Sequence, residues 1–502
     1  MKNFLTALTT ALVLLPSATF AAEGVTLSLD EAIALALKNN RLIEQSAEER
    51  EAARWNLSAV RRSAGPTLSW TSTNYHVGGR YYRRHYRSSR DNARARSDMD
   101  AALYGVDDDL NISLYPNYNY ENSNTFNLRM NLYTGGRAEN QRESARYSLN
   151  AADLSLENSR QTVKYRASAA YFQVLQRASM VDVQQQALEL LQEHLRNVTI
   201  QYEVGTVAKS DVLSTSVQLA NTKQSLNTAQ GNYQTAVAQL NNVLGLPIDT
   251  DLVASSRIDF VHYQLTEAQC LEYALAHRPD GIAAAYAVRR AEADTNAAKS
   301  GYRPTITAVA QGSLSGENFL GSNHGDERWA VGLEMSWNIF DNGVTSAQVH
   351  QHQAAERRAE SQAREQLETI QLEVHSAYIA LKTAELNIET TAAAVAQAEE
   401  EFSIAQVRYV EGVDTNLNVM NAQEKVVETR NNYYTALYTY NTSRAQLEKA
   451  MGVPVAIDAL RYDNAVQEGK SSAKSLEAAA VSQPNYLDDS AWTLPAPFDR
   501  ES

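Results

Sequence analysis

The sequence predicts a mostly α-helical chain with a transmembrane β part, assembled from a helix–strand–strand–helical-hairpin unit that occurs twice. Three observations predict it. An internal repeat keeps one register, the periodicity switches from helical to two-residue after a proline in each copy, and apolar heptads run out and then back.

The repeat organises everything else. Gly136, Tyr171, Tyr202, Gly205, Gly245 and Pro247 return as Gly343, Tyr378, Tyr409, Gly412, Gly452 and Pro454, each 207 positions on (343 − 136). Upstream, Leu27-Ser28, Ala36-Leu37 and Pro66-Thr67 match Leu265-Thr266, Ala274-Leu275 and Pro304-Thr305 at an offset of 238 (304 − 66). The first copy therefore holds 31 further residues (238 − 207) between Pro66 and Gly136. One duplication with one enlarged loop divides the chain into four parts. Residues 1–21 are a signal peptide, 22–255 a first repeat, 256–455 a second repeat, and 456–502 a tail, equatorial or disordered. The enlarged loop, 76–124, is expected on the extracellular side, and the hairpin tips are expected near 205 and 412.

Lys2, the apolar stretch Phe4 to Leu15 and Thr19-Phe20-Ala21 make a secretory signal cleaved before Ala22. No cysteine follows it to carry a lipid. No segment reaches the ~20 apolar residues of a spanning helix, so any membrane crossing falls to strands. Ser28 and Thr266 are placed to cap the opening helices through their hydroxyls. Gly65-Pro66 and Arg303-Pro304 end those helices, because proline lacks a donor and disfavours helix before it.

Beyond each proline the pattern alternates. Phe126, Leu128, Met130 and Leu132 are separated by Asn127, Arg129 and Asn131. Trp329, Val331, Leu333, Met335, Trp337 and Ile339 are separated by Ala330, Gly332, Glu334, Ser336 and Asn338. The strands at Thr67–Tyr75 and Thr305–Leu314 alternate more weakly. Such alternation suits a half-buried sheet in a soluble domain. It also suits a barrel wall of about ten residues per strand with aromatic residues at both interfaces, and the export signal favours the wall. Four strands cannot close a barrel, and an open edge is not tolerated in lipid, so the barrel must be shared among subunits.

The helical part carries heptads. Val374, Leu381, Ile388, Val395, Phe402 and Tyr409 recur every seven residues, with Ala377, Ala384, Thr391, Ala398 and Ala405 three positions after the first five. Copy one repeats the seam with Val174, Val181, Leu188, Leu195 and Tyr202. The return helices answer with Val212, Leu219, Leu226, Tyr233 and Leu240, and with Val419, Val426, Tyr433, Tyr440 and Leu447. Ala138 to Glu203 would span ~100 Å as helix. The return and opening helices, ~50–60 Å each by the same rise, would stack to match it.

Composition excludes several classes. A net charge of −14 spread along 502 residues does not suit general nucleic-acid binding, and a lone Cys270 forbids an internal disulfide. A mean hydropathy of −0.42 with 44 % hydrophobic residues suits long wet helices, not a helical membrane protein. The nine histidines are scattered, and His350 and His352 would sit on different helix faces. No phosphate loop or nucleophile elbow is present, so the chain is read as a non-enzyme with no catalytic residue, metal site or cofactor. The enlarged loop interleaves Arg80, Arg83, Arg84, Arg87, Arg90, Arg94 and Arg96 with Tyr81, Tyr82 and Tyr86. These are expected to face lipopolysaccharide phosphates rather than nucleic acid.

The chain resembles the TolC outer-membrane factor family. The carriers are Leu27-Ser28-Leu29-Asp30-Glu31-Ala32, Pro66-Thr67-Leu68 with Pro304-Thr305-Ile306, and Leu132-Tyr133-Thr134-Gly135-Gly136 with Ile339-Phe340-Asp341-Asn342-Gly343. Tyr202-Glu203-Val204-Gly205, Tyr409-Val410-Glu411-Gly412-Val413-Asp414, and Gly245-Leu246-Pro247 with Gly452-Val453-Pro454 complete the set. The resemblance implies a homotrimer, with a 12-stranded outer-membrane β-barrel on a 12-helix periplasmic α-barrel. It implies a passive exit duct for tripartite efflux or type I secretion. Docking of a periplasmic adaptor and an inner-membrane transporter (RND, ABC or MFS type) would open it. Adaptor docking falls to the tips, at Gly205, Thr206, Val207, Gly412 and Val413, and the entrance gate to Asp211 and Tyr409. Relatives often carry aspartates six and nine residues after the second tip glycine, where this chain has Asn418 and Asn421; Asp414 is the residue that could restore part of that charge. The competing reading, a trimeric surface adhesin or structural periplasmic stalk, requires one long parallel coiled coil, whereas these seams double back.

Overall fold

The computed structural model describes residues 25–76, 120–255, 260–316 and 326–455. The residues read as a signal peptide, the Arg- and Tyr-rich segment and the tail fall outside the described residues. The elements are β1 (Val25–Leu27), α1 (Leu29–Asn39), α2 (Arg41–Ser63), β2 (Thr67–His76), β3 (Tyr120–Tyr133), α3 (Arg137–Glu203) and α4 (Lys209–Leu244). Copy two follows the same order with β4 (Leu252–Ala254), α5 (Glu267–His277), α6 (Pro279–Lys299), β5 (Thr305–Gly316), β6 (Asp326–Ser336), α7 (Val344–Val410) and α8 (Asn416–Met451). They divide into two compact units, each drawing on both copies: one from the residues up to Glu49, Asp153–Ala283 and Arg364 onward, the other from Arg50–Ala152 and Ala284–Ala363.

The second of these units holds an antiparallel sheet in the order β2-β3-β5-β6. Its register puts most of the apolar residues of all four strands on one face, with Val309 and Ala330 on the other. Leu68 pairs Leu128 and Trp70 pairs Phe126. Leu128 pairs Ala310, and Ala310 in turn pairs Val331. Met130 pairs Ala308, which pairs Leu333. The opposite face pairs Ser69 with Asn127, Asn127 with Gln311, and Thr307 with Glu334. Towards the loop the apolar face turns polar: Trp70 donates to Asn124, Asn124 to Asn122, and Asn122 to Asn74. This asparagine ladder extends β3 back to Tyr120, into the segment the sequence assigned to the loop. At the other end β6 stops at Ser336, short of the expected Trp337 and Ile339. The Trp337 indole instead donates to the Tyr302 carbonyl at 3.1 Å and leaves the ladder.

Each strand-to-helix turn needs two consecutive left-handed residues. Gly135 and Gly136 adopt φ of 68° and 93°, and Asn342 and Gly343 adopt 54° and 84°. Glycine enters that region without a Cβ penalty and asparagine is the side chain that tolerates it best. Asp341 then caps α7, accepting from the Thr345 amide at 2.8 Å and from the Gly343 amide at 3.0 Å.

In the helical unit β1 pairs β4 in parallel, and two hairpins, α3/α4 and α7/α8, carry the heptads. Val374, Leu381 and Ile388 bury against Leu437, Tyr440 and Leu447, with Ala377 and Ala384 between them. In copy one the buried line runs through Val163, Val174, Ala187, Leu191 and Val198. Of the expected seam, Val174 and Leu188 are buried, whereas Val181 and Leu195 are half-buried and Tyr202 is exposed. The reason is that α3 touches both α4 and α8, so two stripes are covered where one heptad was read.

The opening helices are not continuous. Ser28 with Glu31, and Thr266 with Gln269, form capping boxes as the hydroxyls suggested. Yet Asn40 and Arg278 leave the helical region at ψ of 128° and 121°. Asn40 accepts from the Leu42 amide and donates to the Val243 carbonyl, both at 2.9 Å. Those bonds replace the ones the break costs and tie it to the end of α4. Arg278 precedes Pro279, which disfavours helix before it. Its guanidinium grips Asp280 at 2.7 Å and 2.8 Å.

Candidate functional site at the hairpin tips

Both hairpins reverse through one device. Helix α3 ends with Thr206 donating to the Gln201 carbonyl at 2.9 Å and Gly205 to the Tyr202 carbonyl at 3.0 Å. Helix α7 ends with Val413 donating to Arg408 at 2.9 Å and Gly412 to Tyr409 at 3.0 Å. These are Schellman closures, which require the left-handed residue that Gly205 (φ 80°) and Gly412 (φ 73°) supply. The tips present Val204, Thr206 and Val413 to solvent, with Val207 half-buried.

The two tips differ beyond the turn. Thr415 caps α8 by accepting from the Asn418 amide, whereas Ala208, its counterpart in copy one, gives α4 no side-chain cap. Asp414 accepts from the Asn418 side chain at 2.5 Å and from the Thr415 amide at 2.8 Å, and Arg408 lies 3.7 Å away. Those hydrogen bonds, with Arg408 adding to them, hold its carboxyl below the usual carboxylate range. The carboxylate is thus firmly ionised, with its partners on its own hairpin. Asn418 and Asn421 are exposed on α8.

Tyr409 is 8 % exposed, while its repeat partner Tyr202 is 42 % exposed. The Tyr409 ring lies 5.4 Å from that of His194 and packs with Val198, Val419, Ala405 and Ala422. Its buried hydroxyl makes no hydrogen bond. Burial first, and the nearby Asp211 charge second, push its phenol above the ordinary value of 10.0. Asp211 is therefore close to Tyr409 without accepting from it.

The residue that does join the hairpins is one the sequence reading passed over. Asn416, 4 % exposed, donates to the Thr215 hydroxyl at 2.9 Å and to the Asp211 carbonyl at 3.3 Å. Its oxygen accepts from His194 Nε2 at 2.7 Å. A signal was available in the differences between the copies. Asn416 stands where copy one has Lys209 (416 − 207), and Thr215 where copy two has Ala422 (422 − 207). Among the described residues no cluster could hold a metal ion, and no helix is long and apolar enough to cross a membrane.

The family description "Outer membrane efflux protein" matches residues 32–246 and 270–453, most of the chain and both repeats. The chain belongs to the outer membrane efflux protein family. Its similarity to outer membrane efflux protein BepC of Brucella suis biovar 1 (strain 1330) is 27 % identity over 324 residues, 62 % of this chain and 68 % of that one. Outer membrane protein TolC of Escherichia coli (strain K12) is 23 % identical over 374 residues, 70 % of this chain and 73 % of that one. The Campylobacter jejuni CmeC outer membrane channel shares the fold, with a TM-score of 0.70 at 16 % identity, covering 88 % of this chain and 89 % of that one. This family member is TolC-like, mostly helical, and acts in the outer membrane as an exit duct for efflux that extends into the periplasm.

Proposed function

We propose that three copies of this chain form the passive duct, a twelve-stranded barrel made of three four-stranded sheets on a periplasmic α-barrel of twelve long helices. The observation that carries the reading is the sheet. Its apolar face is open, with Trp329, Val331, Leu333 and Met335 all exposed, while its other face is polar. Strands β2 and β6 each pair on one side only among the described residues. Apolar surface outside and polar surface inside is what lipid and a wet lumen select, and two free edges are what neighbouring copies would close. Trp70, Phe126 and Trp329 share one level of the register, as an interfacial girdle would.

The helical unit offers matching open faces. Leu213 and Val217 are exposed on α4, and Leu372, Ile379 and Leu386, seven apart, are exposed on α7. A second copy laid α4 against α7 would cover both. The tips, with exposed Gly205, Thr206, Gly412 and Val413 and half-buried Val207, are the surface for a periplasmic adaptor. An inner-membrane transporter of the RND, ABC or MFS type would supply energy and choose the substrate, in efflux, in type I secretion or in both. The entrance lies inside the tips, among Asp211, Tyr409, Asp414, Asn418 and Asn421, and the duct performs no chemistry. The enlarged loop meets lipopolysaccharide.

Native mass measurement in mild detergent, followed by planar-bilayer recording of the same fraction, tests this. A mass three times that of one chain, with conductance, is expected. A monomer or dimer that conducts overturns it.

A further inference from the structure

The two hairpins of the helical unit are stapled together differently from how each is held internally. Within a hairpin the buried seam is apolar, as with Leu381 and Ile388 against Leu437 and Tyr440, and ion pairs such as Arg430–Glu399 and Lys425–Glu401 lie along its exposed rim. Between hairpins, where α3 runs beside α8, a small apolar cluster near the tips gives way to hydrogen bonds. Asn416 binds His194 and Thr215. One heptad on, Gln423 donates to the Ala187 carbonyl at 2.9 Å. Another heptad on, Arg430 donates to the Gln186 side chain at 2.8 Å. Beyond that, Gln176 donates to Thr435 at 3.2 Å. Asn416, Gln423 and Arg430 lie seven residues apart, so they form one polar stripe on α8, and their partners descend α3 in antiparallel order.

A polar seam behaves unlike an apolar one. Apolar knobs resist sliding because every shift exposes surface, whereas a side-chain hydrogen bond can be exchanged for one to water at small net cost. The exception is a buried polar residue, whose partners must be kept or its desolvation goes uncompensated. Asn416 and Gln423 are such residues, and Asn416 is the more deeply buried. It is almost fully buried, stands at the tip end of the stripe, and engages both helices of the other hairpin through His194 on α3 and Thr215 on α4.

We propose that Asn416, with His194 and Thr215, is the positioning residue that fixes the register of the two hairpins in the resting entrance, and that Gln423 and Arg430 extend that hold along the seam. The inference rests on the reading of the tips as the periplasmic entrance. It gives the resting state to a buried amide node, since the Tyr409 hydroxyl makes no hydrogen bond and the Asp211 backbone is already bound by Asn416.

The test compares full-length channels carrying Asn416→Leu, Thr215→Val, both together, and Leu437→Ala as a within-hairpin control. Open probability in planar bilayers and yield of heat-resistant oligomer are read side by side. Losing one hydrogen bond is worth about fivefold in an equilibrium. Asn416→Leu and Thr215→Val should each raise open probability by about that factor or more, and the double variant by less than the product. Leu437→Ala should lower yield or melting temperature and leave open probability unchanged. If Asn416→Leu fails to assemble, Thr215→Val decides, because it removes only the hydroxyl and keeps the shape. Unchanged open probability in assembled Thr215→Val, or additive effects in the double variant, overturns the proposal. A separate arm tests the reading beneath it. Val413→Cys, exposed at the second tip while the native Cys270 is buried, is labelled with a bulky thiol reagent from the periplasmic side. Block is expected. Failure to block overturns the entrance reading and the proposal with it, whereas block together with an inert Thr215→Val overturns the proposal alone.

Discussion

Glu157 sits in conflicting surroundings. It accepts from the Val455 amide at 3.3 Å and from Gln161 at 3.4 Å, and Arg160 lies 3.8 Å away. Burial nevertheless outweighs these partners and pushes its carboxyl above the ordinary 4.5. A raised carboxyl pKa means the folded chain holds the proton more tightly than the unfolded one. Stability from this group is therefore present below the unfolded value and lost as pH rises through the folded value. Glu157→Gln, which keeps the shape without the charge, should melt higher than the parent at pH 7. The difference should shrink towards zero as pH falls below 4.5. Melting curves of both proteins across that range check it, and a difference independent of pH would contradict the assignment to burial. The residues at the tips divide by the same logic of burial. Asp414 was legible because glycine and an aspartate-rich position drew attention to its neighbourhood. Asn416 was not, because a buried amide has no sequence pattern of its own and its partners lie about 200 residues away.

At the scale of elements, the strands obey their alternation. Leu333 is 71 % exposed on the apolar face, between Gly332 and Glu334 on the other. On the proposed barrel, Leu333→Arg would put a charge at the middle of the lipid-facing band, at roughly 2–4 kcal/mol per subunit. The expected result is loss of heat-resistant oligomer from the outer membrane. Glu334→Arg, one residue along and on the face proposed to line the lumen, should assemble. Equal assembly of both would contradict the assignment of faces. The long helices were legible in type and length: α3 and α7 each run 67 residues, ~100 Å at the helical rise. The breaks at Asn40 and Arg278 were only half legible. Arg278-Pro279 announces a stop locally, whereas Asn40 breaks its helix through a hydrogen bond to Val243 on a distant element.

For the whole molecule, the question is what converges when copies assemble. Asp414 keeps an ionised carboxylate whose partners, Asn418, Thr415 and Arg408, all belong to its own hairpin. Exposed Asn418 and Asn421 leave the adjoining face of α8 neutral. In the proposed trimer, Asn418→Asp together with Asn421→Asp would bring six carboxylates, two from each of three copies, towards one axis. Block by divalent or trivalent cations added from the periplasmic side should then appear at concentrations that leave the parent channel conducting. Planar-bilayer recordings with cation titration check it. Strong block of the unmodified channel would show that another acidic ring already serves the entrance.

By itself the sequence determined the features that depend on local repetition. The 207-residue register, the two-residue alternation, the heptads, the caps at Ser28 and Thr266 and the glycines at the tips are all written in spacing, because helix and strand periods and left-handed turns are properties of neighbouring residues. Tertiary structure decided the features that depend on which surfaces meet. It set the strand order β2-β3-β5-β6, which brings the copies edge to edge. It made α3 bury two stripes where one was read. It left Tyr409 buried without a hydrogen bond and gave the joining of the hairpins to Asn416. Each of these is fixed by contacts between residues far apart in the chain, and a buried polar group is satisfied or not only by what packing brings to it.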